Sequence, residues 1–176
     1  TPDATAVTGG VGAGAAESGG GSVRILDARN DSGQMRPAIA AVRGTGTAVA
    51  EVALCYTGDL LNPDERLYAL DYYLDRAGKI VDAGAHSIAI KDMAGLLTPY
   101  ATGELVKALK EALSLDVVVH SHDTAGLAAM CQLKAVEHGA DRIDTAISSM
   151  AWGTSHPGTE SMVAALRDTP YDTGLN

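Results

Sequence analysis

Apolar and polar residues alternate along the chain in blocks whose lengths suit strands and helices. Short apolar runs predict β-strands that are buried on both faces of a sheet. These runs cover residues 23–27, 49–56, 87–91, 116–122 and 142–147. Amphipathic stretches separate the runs and predict four helices. Because Gly-Ala twice joins a helix to a strand, at Gly84-Ala85 and Gly139-Ala140, the pattern predicts repeated β/α units, either as a (β/α) barrel or as a doubly wound parallel sheet.

Two of the predicted helices begin with recognisable capping residues. Asn62-Pro63-Asp64-Glu65 combines an N-cap residue, a first-turn proline and a capping-box glutamate. This pattern predicts a helix that starts at residue 62 and ends before Gly84. Thr98-Pro99 predicts the start of the next helix in the same way.

Composition divides the chain into two parts. Residues 1–22 are mostly Gly, Ala, Ser and Thr, which predicts a flexible low-complexity segment because such residues cannot fill a core. Residues 23–176 are expected to form one domain. The net charge of −9 argues against a nucleic-acid or anionic membrane partner. No apolar run suits a membrane span and no targeting segment is recognisable, so we expect a cytoplasmic protein in which Cys55 and Cys131 are reduced and buried.

The candidate chemistry lies where two predicted strands end. His120 and His122 are two positions apart on a strand, so their imidazoles point to the same face and can grip one metal ion. The alternative is that the two rings are hydrogen-bonded polar groups at a strand end. Lys91 ends the preceding strand, and functional groups gather at this edge of parallel sheets.

Lys91 has two interpretations. As an ammonium it has no lone pair for a metal, and it would pair with Asp92 or Asp123. Carboxylated by carbon dioxide, it becomes a carbamate whose oxygens can ligate a metal beside the two imidazoles. The loops 93–95 and 123–126 could meet an anion through their backbone amides, although ordinary loop geometry explains their glycines equally well.

Other polar residues near the strand ends carry weaker signals. Asp31 and Asp59 are expected to cap helices, whereas Asp27, Asn30 and the segment 56–58 either contact a substrate or serve the loops. His86 and His138 lie at the opposite rim and are expected to be structural. His156 follows the last strand, and its role stays open.

Three segments together resemble the carboxyltransferase domain of biotin-dependent pyruvate carboxylases and oxaloacetate decarboxylases. They are Cys55-Tyr56-Thr57-Gly58-Asp59, Ile90-Lys91-Asp92-Met93-Ala94-Gly95 and His120-Ser121-His122-Asp123-Thr124. The final stretch from Asp144 to Leu175 is more similar to oxaloacetate decarboxylase alpha subunits and transcarboxylase.

The resemblance implies a TIM (β/α)8 barrel that holds zinc, manganese or cobalt through His120, His122 and carboxylated Lys91. It also implies Lys91 as a catalytic group, pyruvate or oxaloacetate as substrate, and an oligomer or larger complex. Carboxybiotin would arrive on a separate carrier domain or carrier protein, because the chain lacks the Met-Lys-Met attachment motif.

The match to that family is partial. The five predicted strands resemble the fourth to eighth of the family barrel, so the first strand with its Arg-Asp-x-x-Gln segment and metal-binding aspartate has no counterpart here. Arg29 also stands where the family usually has leucine. Two alternatives therefore remain: a metal-dependent aldol-type lyase or synthase of the hydroxymethylglutaryl-CoA lyase-like class, and a non-catalytic half-barrel that serves as an interaction module.

Overall fold

Five parallel strands form one sheet in which the spatial order follows the sequence order. The computed structural model describes residues 10–11, 14–15 and 18–175. Its strands are β1 (Ser22–Ile25), β2 (Val49–Cys55), β3 (Ser87–Asp92), β4 (Asp116–Ser121) and β5 (Arg142–Ile143). A doubly wound sheet would reverse its strand order at a switch point. The sequential order therefore identifies a partial TIM-barrel arrangement, in which the five strands leave the barrel open.

Helices connect the strands as a parallel sheet requires. They are α1 (Ser32–Gly44), α2 (Leu70–Asp82), α3 (Pro99–Ala112), α4 (Ala128–Glu137) and α5 (Thr159–Leu166), with a 3-10 turn at Ser148–Met150. The predicted β/α alternation is confirmed, and α5 is an addition that the sequence pattern did not predict. None of the helices in the described part of the chain has the length and apolar character that a membrane crossing requires.

The hydrophobic core lies between the helices and one face of the sheet. Val52, Ile88 and Val119 point from successive strands into this core, where they belong to the same buried cluster as Ile39 and Leu105. The opposite face would be the interior of a complete barrel, and it carries charged side chains. The sequence of each strand therefore separates an apolar outer layer from a polar inner face.

Three predicted boundaries are wrong. The helix expected from residue 62 begins at Leu70, because Glu65 Oε1 accepts hydrogen bonds from the N–H groups of Leu67 and Tyr68 and so stabilises a loop there. The fifth strand ends at Ile143 instead of continuing to residue 147.

The third boundary is at the amino end. Ser22, expected in the low-complexity segment, is the first residue of β1 and pairs with Val49. The structure does not describe residues 1–9, 12–13 and 16–17, so the expectation of a flexible segment lies outside the described residues there.

Thr98 confirms the other predicted helix start. Its hydroxyl oxygen accepts a hydrogen bond from the N–H of Ala101, with Pro99 in the first turn. This cap fixes where α3 begins, directly after the loop that follows β3.

Candidate metal centre

Lys91 and His120 are paired neighbours on β3 and β4. Residues in register on adjacent strands point to the same face, so both side chains enter the inner face of the sheet. Lys91 Nζ lies 3.3 Å from His120 Nε2. Among the described residues Lys91 forms no salt bridge, so the predicted pairing with Asp92 or Asp123 is wrong.

Three histidines converge above Lys91. His120 and His122 come from the end of β4, and His156 comes from the loop after β5. One ring nitrogen from each of the three lies within 4.8 Å of the others. The ring centroid of His156 is 4.3 Å from that of His120 and 4.7 Å from that of His122. Neutral imidazoles grouped in this way form a donor set that suits a divalent metal such as zinc.

The hydrogen bonds of the rings decide which nitrogen is free. His122 Nδ1 lies 2.7 Å from the carbonyl oxygen of Thr154, and His156 Nδ1 lies 2.9 Å from that of Ser121. A carbonyl only accepts, so each Nδ1 carries the proton, and in the neutral form of the ring Nε2 then has the lone pair. Metal-binding histidines have this arrangement, in which the second nitrogen is anchored by an acceptor.

Asp144 holds the imidazole of His120 in place. Its Oδ2 lies 2.6 Å from His120 Nδ1 and also accepts a hydrogen bond from Arg24. Burial raises the pKa of Asp144, but the hydrogen bonds from His120 and Arg24 outweigh it and hold that pKa well below its usual range. Asp144 therefore stays ionised beside the imidazole, whose own pKa is lowered by burial.

Arg24 is held in place by a second carboxylate. Its Nε donates to Oε1 of Glu51, whose side chain is only 4% exposed. Arg142 approaches the other oxygen of Glu51 at 3.4 Å. Burial lowers the pKa of Arg24, whereas hydrogen bonds to Asp144 and Glu51 raise it and give a net increase. A buried carboxylate needs such partners, because an unpaired charge inside a protein is costly.

Asp92 organises the loop after Lys91. Its carboxylate accepts hydrogen bonds of 2.9 Å from the N–H groups of Leu96 and Leu97, and one from the hydroxyl of Ser121. Asp123 does the same for Ala128 at the start of α4. These amides lie just after the loops 93–95 and 123–126, so the two carboxylates hold the ends of those loops.

The remaining candidates serve the fold. Asp31 caps α1 as predicted, by accepting from the N–H of Gly33. Asp59 caps no helix, because α2 begins eleven residues later at Leu70. His86 Nδ1 accepts from the N–H of Ala50, and His138 Nδ1 donates to the carbonyl of Lys134, which confirms their structural roles.

Three further expectations concern Asn30, Asp27 and the two cysteines. Asn30 is buried and bonds both the N–H and the carbonyl of Cys55, so it joins the loop after β1 to the end of β2. Asp27 accepts hydrogen bonds from the N–H groups of Arg29 and Asp31 within the same loop. The predicted state of Cys55 and Cys131 is confirmed, because both are free and buried.

The sequence patterns did not indicate that Arg24, Glu51 and Asp144 are parts of the site. A signal was present: Arg24 and Glu51 are charged residues inside strand-like apolar runs. A charge at such a position indicates a polar partner on the same face of the sheet. What the sequence lacked was the partner, since Arg24 and Asp144 are separated by 120 positions.

The sheet order and the polar cluster at the strand ends define a partial barrel with a candidate metal centre. A family model described as HMGL-like matches residues 36–176. Because this match covers most of the chain, the chain belongs to the HMGL-like family.

Individual relatives are pyruvate carboxylases. The chain is 52% identical over 153 residues to a pyruvate carboxylase polypeptide of Methanocaldococcus jannaschii, covering 87% of this chain and 26% of the relative. It is 49% identical over 161 residues to pyruvate carboxylase of Bacillus subtilis, covering 92% of this chain and 14% of the relative. The chain thus spans about a quarter or less of the length of these relatives.

Solved structures agree with this similarity. The carboxyl transferase domain of Rhizobium etli pyruvate carboxylase with pyruvate and biocytin matches with a TM-score of 0.94 and 41% identity. The match covers 98% of this chain and 29% of that chain. The predicted resemblance to a carboxyltransferase domain is confirmed at the level of sequence and fold.

Proposed function

We propose that this chain supplies the metal-binding part of a biotin-dependent carboxyltransferase that acts on pyruvate or oxaloacetate. The observation that carries the proposal is the position of Lys91, whose Nζ lies 3.3 Å from His120 Nε2 beside the histidine cluster. The similarity to pyruvate carboxylases supports the same conclusion.

Lys91 as a carbamate, His120 and His122 are the proposed ligands of a divalent zinc, manganese or cobalt ion. The donor set fits such an ion, because Nδ1 of each imidazole lies against an acceptor outside the ligand set and His120 Nε2 faces the proposed lysine ligand. A bound metal would act as a Lewis acid that stabilises negative charge as the keto acid is converted to its enolate.

The chain's own residues have two further roles in this proposal. Asp144 holds His120 in the orientation that presents Nε2, and Arg24 holds Asp144. Lys91 must first lose a proton, because only the neutral amine can form the N–C bond to carbon dioxide; loss of a second proton then leaves an anionic carbamate and removes a positive charge from beside the proposed metal. Lys91 is therefore the proposed catalytic residue.

The proposed partners follow from the same reaction. Pyruvate or oxaloacetate would be the substrate, and carboxybiotin would be delivered by a carrier domain or carrier protein. The Rhizobium etli domain has been solved with pyruvate and biocytin, which are a substrate and a biotin compound of this kind. An oligomer or larger complex remains part of the proposal, because the open edges of β1 and β5 leave backbone groups available for pairing.

An aldol-type lyase is the second candidate function, since the chain belongs to the HMGL-like family. Such an enzyme has no need of a carboxylated lysine, whereas Lys91 stands beside a histidine and, among the described residues, has no salt-bridge partner. The geometry at Lys91 therefore favours carboxyl transfer. A non-catalytic half-barrel is the third candidate, and it predicts no activity even when the remaining strands are supplied.

A segment exchange tests the proposal directly. Residues 23–175 of this chain replace the corresponding segment of the Methanocaldococcus jannaschii pyruvate carboxylase polypeptide, the 52% identical relative. We expect the chimera to decarboxylate oxaloacetate in the presence of biotinylated carrier. Lys91→Ala should abolish this activity, while His138→Gln, at the far rim, should leave it intact.

Two results would contradict the proposal. A folded, metal-loaded chimera without pyruvate- or oxaloacetate-dependent turnover would indicate a non-catalytic module. Cleavage of a hydroxyacyl-CoA thioester without any use of biotin would indicate the aldol-type class.

A further inference from the structure

The loop that carries His156 is fastened to the end of β4. The N–H of Asp123 donates to the carbonyl of Ser155 at 2.8 Å, and two imidazoles add bonds in both directions. His122 Nδ1 donates to the carbonyl of Thr154, and His156 Nδ1 donates to the carbonyl of Ser121. The loop is also closed on itself, because the N–H of Trp152 donates to the carbonyl of His156 at 2.8 Å.

These bonds restrict His156 in a specific way. Its ring is half-buried and its Nδ1 proton is committed to a backbone carbonyl. The ring faces His120 and His122 at centroid distances of 4.3 and 4.7 Å, and no carboxylate or backbone group is bonded to its Nε2 among the described contacts. One ring nitrogen of His156 thus belongs to the same group as one ring nitrogen of each β4 histidine.

The spacing of the three nitrogens permits a common ligand. They lie within 4.8 Å of one another, whereas two nitrogens on one zinc ion are roughly 3.3 Å apart, given bonds of about 2.05 Å. Three neutral imidazoles are also a sufficient protein donor set for zinc, as in three-histidine catalytic sites. Shifts of under about 1 Å per ring bring the nitrogens to that separation.

We propose that His156 is a third imidazole ligand of the metal, so that His120, His122 and His156 together hold the ion before Lys91 is carboxylated. The inference rests on the metal site of the proposed function and not on the carboxyl-transfer reaction. In this arrangement carbon dioxide is needed for the lysine ligand and for activity, but the ion stays bound without it.

Cobalt binding to the purified chain tests the assignment. Co²⁺ is titrated in buffer depleted of carbon dioxide, and the visible absorption of the bound ion reports both its affinity and its ligand field. We expect His156→Gln to weaken Co²⁺ binding by more than about 100-fold, beyond the loss that follows from removing an outer-shell partner. Lys91→Ala should bind Co²⁺ within about threefold of the parent chain, because the three imidazoles remain.

His138→Gln is the matched control. This histidine also donates Nδ1 to a backbone carbonyl, but it lies at the other end of the sheet after α4. The same substitution there should leave both the affinity and the absorption spectrum unchanged.

Two results would overturn the assignment. His156→Gln could bind Co²⁺ with parental affinity and an identical spectrum, or Lys91→Ala could lose the ion under conditions in which His156→Gln keeps it. X-ray absorption of the zinc-loaded parent chain provides a check that needs no variant, because three imidazoles are expected and two would contradict the proposal. Neither measurement involves carboxyl transfer, so a failure of the proposed function leaves a distinct result.

Discussion

Asp144 Oδ2 and His120 Nδ1 lie 2.6 Å apart and form a carboxylate–histidine pair between the end of β5 and the end of β4. The pair fixes the ring so that Nε2 faces Lys91, with the ring itself beside that of His156. Outer-shell carboxylates of this kind orient a metal-binding imidazole and raise its basicity. The proposed metal ligand on β4 is thus positioned by a residue outside the ligand set.

Removing the Asp144 carboxylate should weaken metal binding. Asp144→Ala leaves the His120 ring without its acceptor, and we expect zinc affinity to fall by about 10- to 100-fold. Asp144→Asn keeps an oxygen that can accept from Nδ1 but has no charge, so its loss should be smaller. Competition with a chromogenic chelator measures both. Equal affinity in all three proteins would contradict the orienting role.

The same carboxylate should make stability depend on acid. The pKa of Asp144 in the folded protein lies below its ordinary value of 3.8. Its contribution is therefore present above pH about 4 and is lost as the pH falls through the lowered folded pKa. Urea unfolding of metal-free protein should show the parent more stable than Asp144→Asn at pH 7, with the difference narrowing as the pH falls below about 4. A difference that stays constant would show that the ionised form is not favoured.

Arg24 should be important for folding because it neutralises Glu51. Arg24→Met leaves a nearly buried carboxylate with only Arg142 at 3.4 Å, and we expect a loss of about 3 kcal/mol in the free energy of unfolding. Arg24→Met combined with Glu51→Leu should recover part of it, since the nearly buried Glu51 carboxylate is then removed and Asp144 keeps its hydrogen bond with His120. Arg66→Ala removes an exposed ion pair with Asp64 and should cost under about 0.5 kcal/mol. Equal losses in Arg24→Met and Arg66→Ala would contradict the buried-charge argument.

A side chain at Gly95 should be destabilising. Its φ is +69°, and an added Cβ would lie 3.1 Å from the carbonyl oxygen of His122 and from the N of Ala125. Gly126 has a similar φ of +72° with open space around it. Both Gly→Ala substitutions should cost about 1 kcal/mol in backbone strain.

Only Gly95→Ala should also displace the β4 loop and lower metal affinity. Thermal unfolding and zinc titration of the two variants separate strain from contact. If Gly126→Ala proves as harmful to zinc binding as Gly95→Ala, the close approach of the two loops is not the cause.

The Asn30 side chain should make a large contribution to the free energy of unfolding. Its side chain bonds the N–H of Cys55 at 2.7 Å and the carbonyl at 2.9 Å, and its φ is +56°. Asn30→Gly loses both bonds with Cys55, but glycine adopts a positive φ without strain. We expect a loss of about 2–4 kcal/mol in the free energy of unfolding. Asn30→Ala should lose about 1 kcal/mol more, because alanine is strained at positive φ. Denaturant unfolding measures the difference, and a reversed order would contradict the strain argument.

Local patterns predicted the parallel β/α units and the pairing of His120 with His122, because strand and helix periodicities are properties of neighbouring residues. The capping signal at residues 62–65 misled the prediction of α2. Glu65 has the right spacing for a capping box, yet its carboxylate bonds the N–H groups of Leu67 and Tyr68 in a loop, and Tyr68 packs against the hydrophobic core. The spacing of residues along the sequence does not show from which of several nearby N–H groups a carboxylate will accept a hydrogen bond.

The sequence by itself determined the class of fold and the common face of two site residues, since alternation along a strand is enough to place side chains. Only the tertiary structure decided that His156 joins the β4 histidines and that Lys91 lacks a salt-bridge partner among the described residues. It also decided that Arg24 reaches Asp144 across 120 positions of sequence. The physical reason is that these contacts form through the sheet, where strand order and register bring together residues that no local pattern connects.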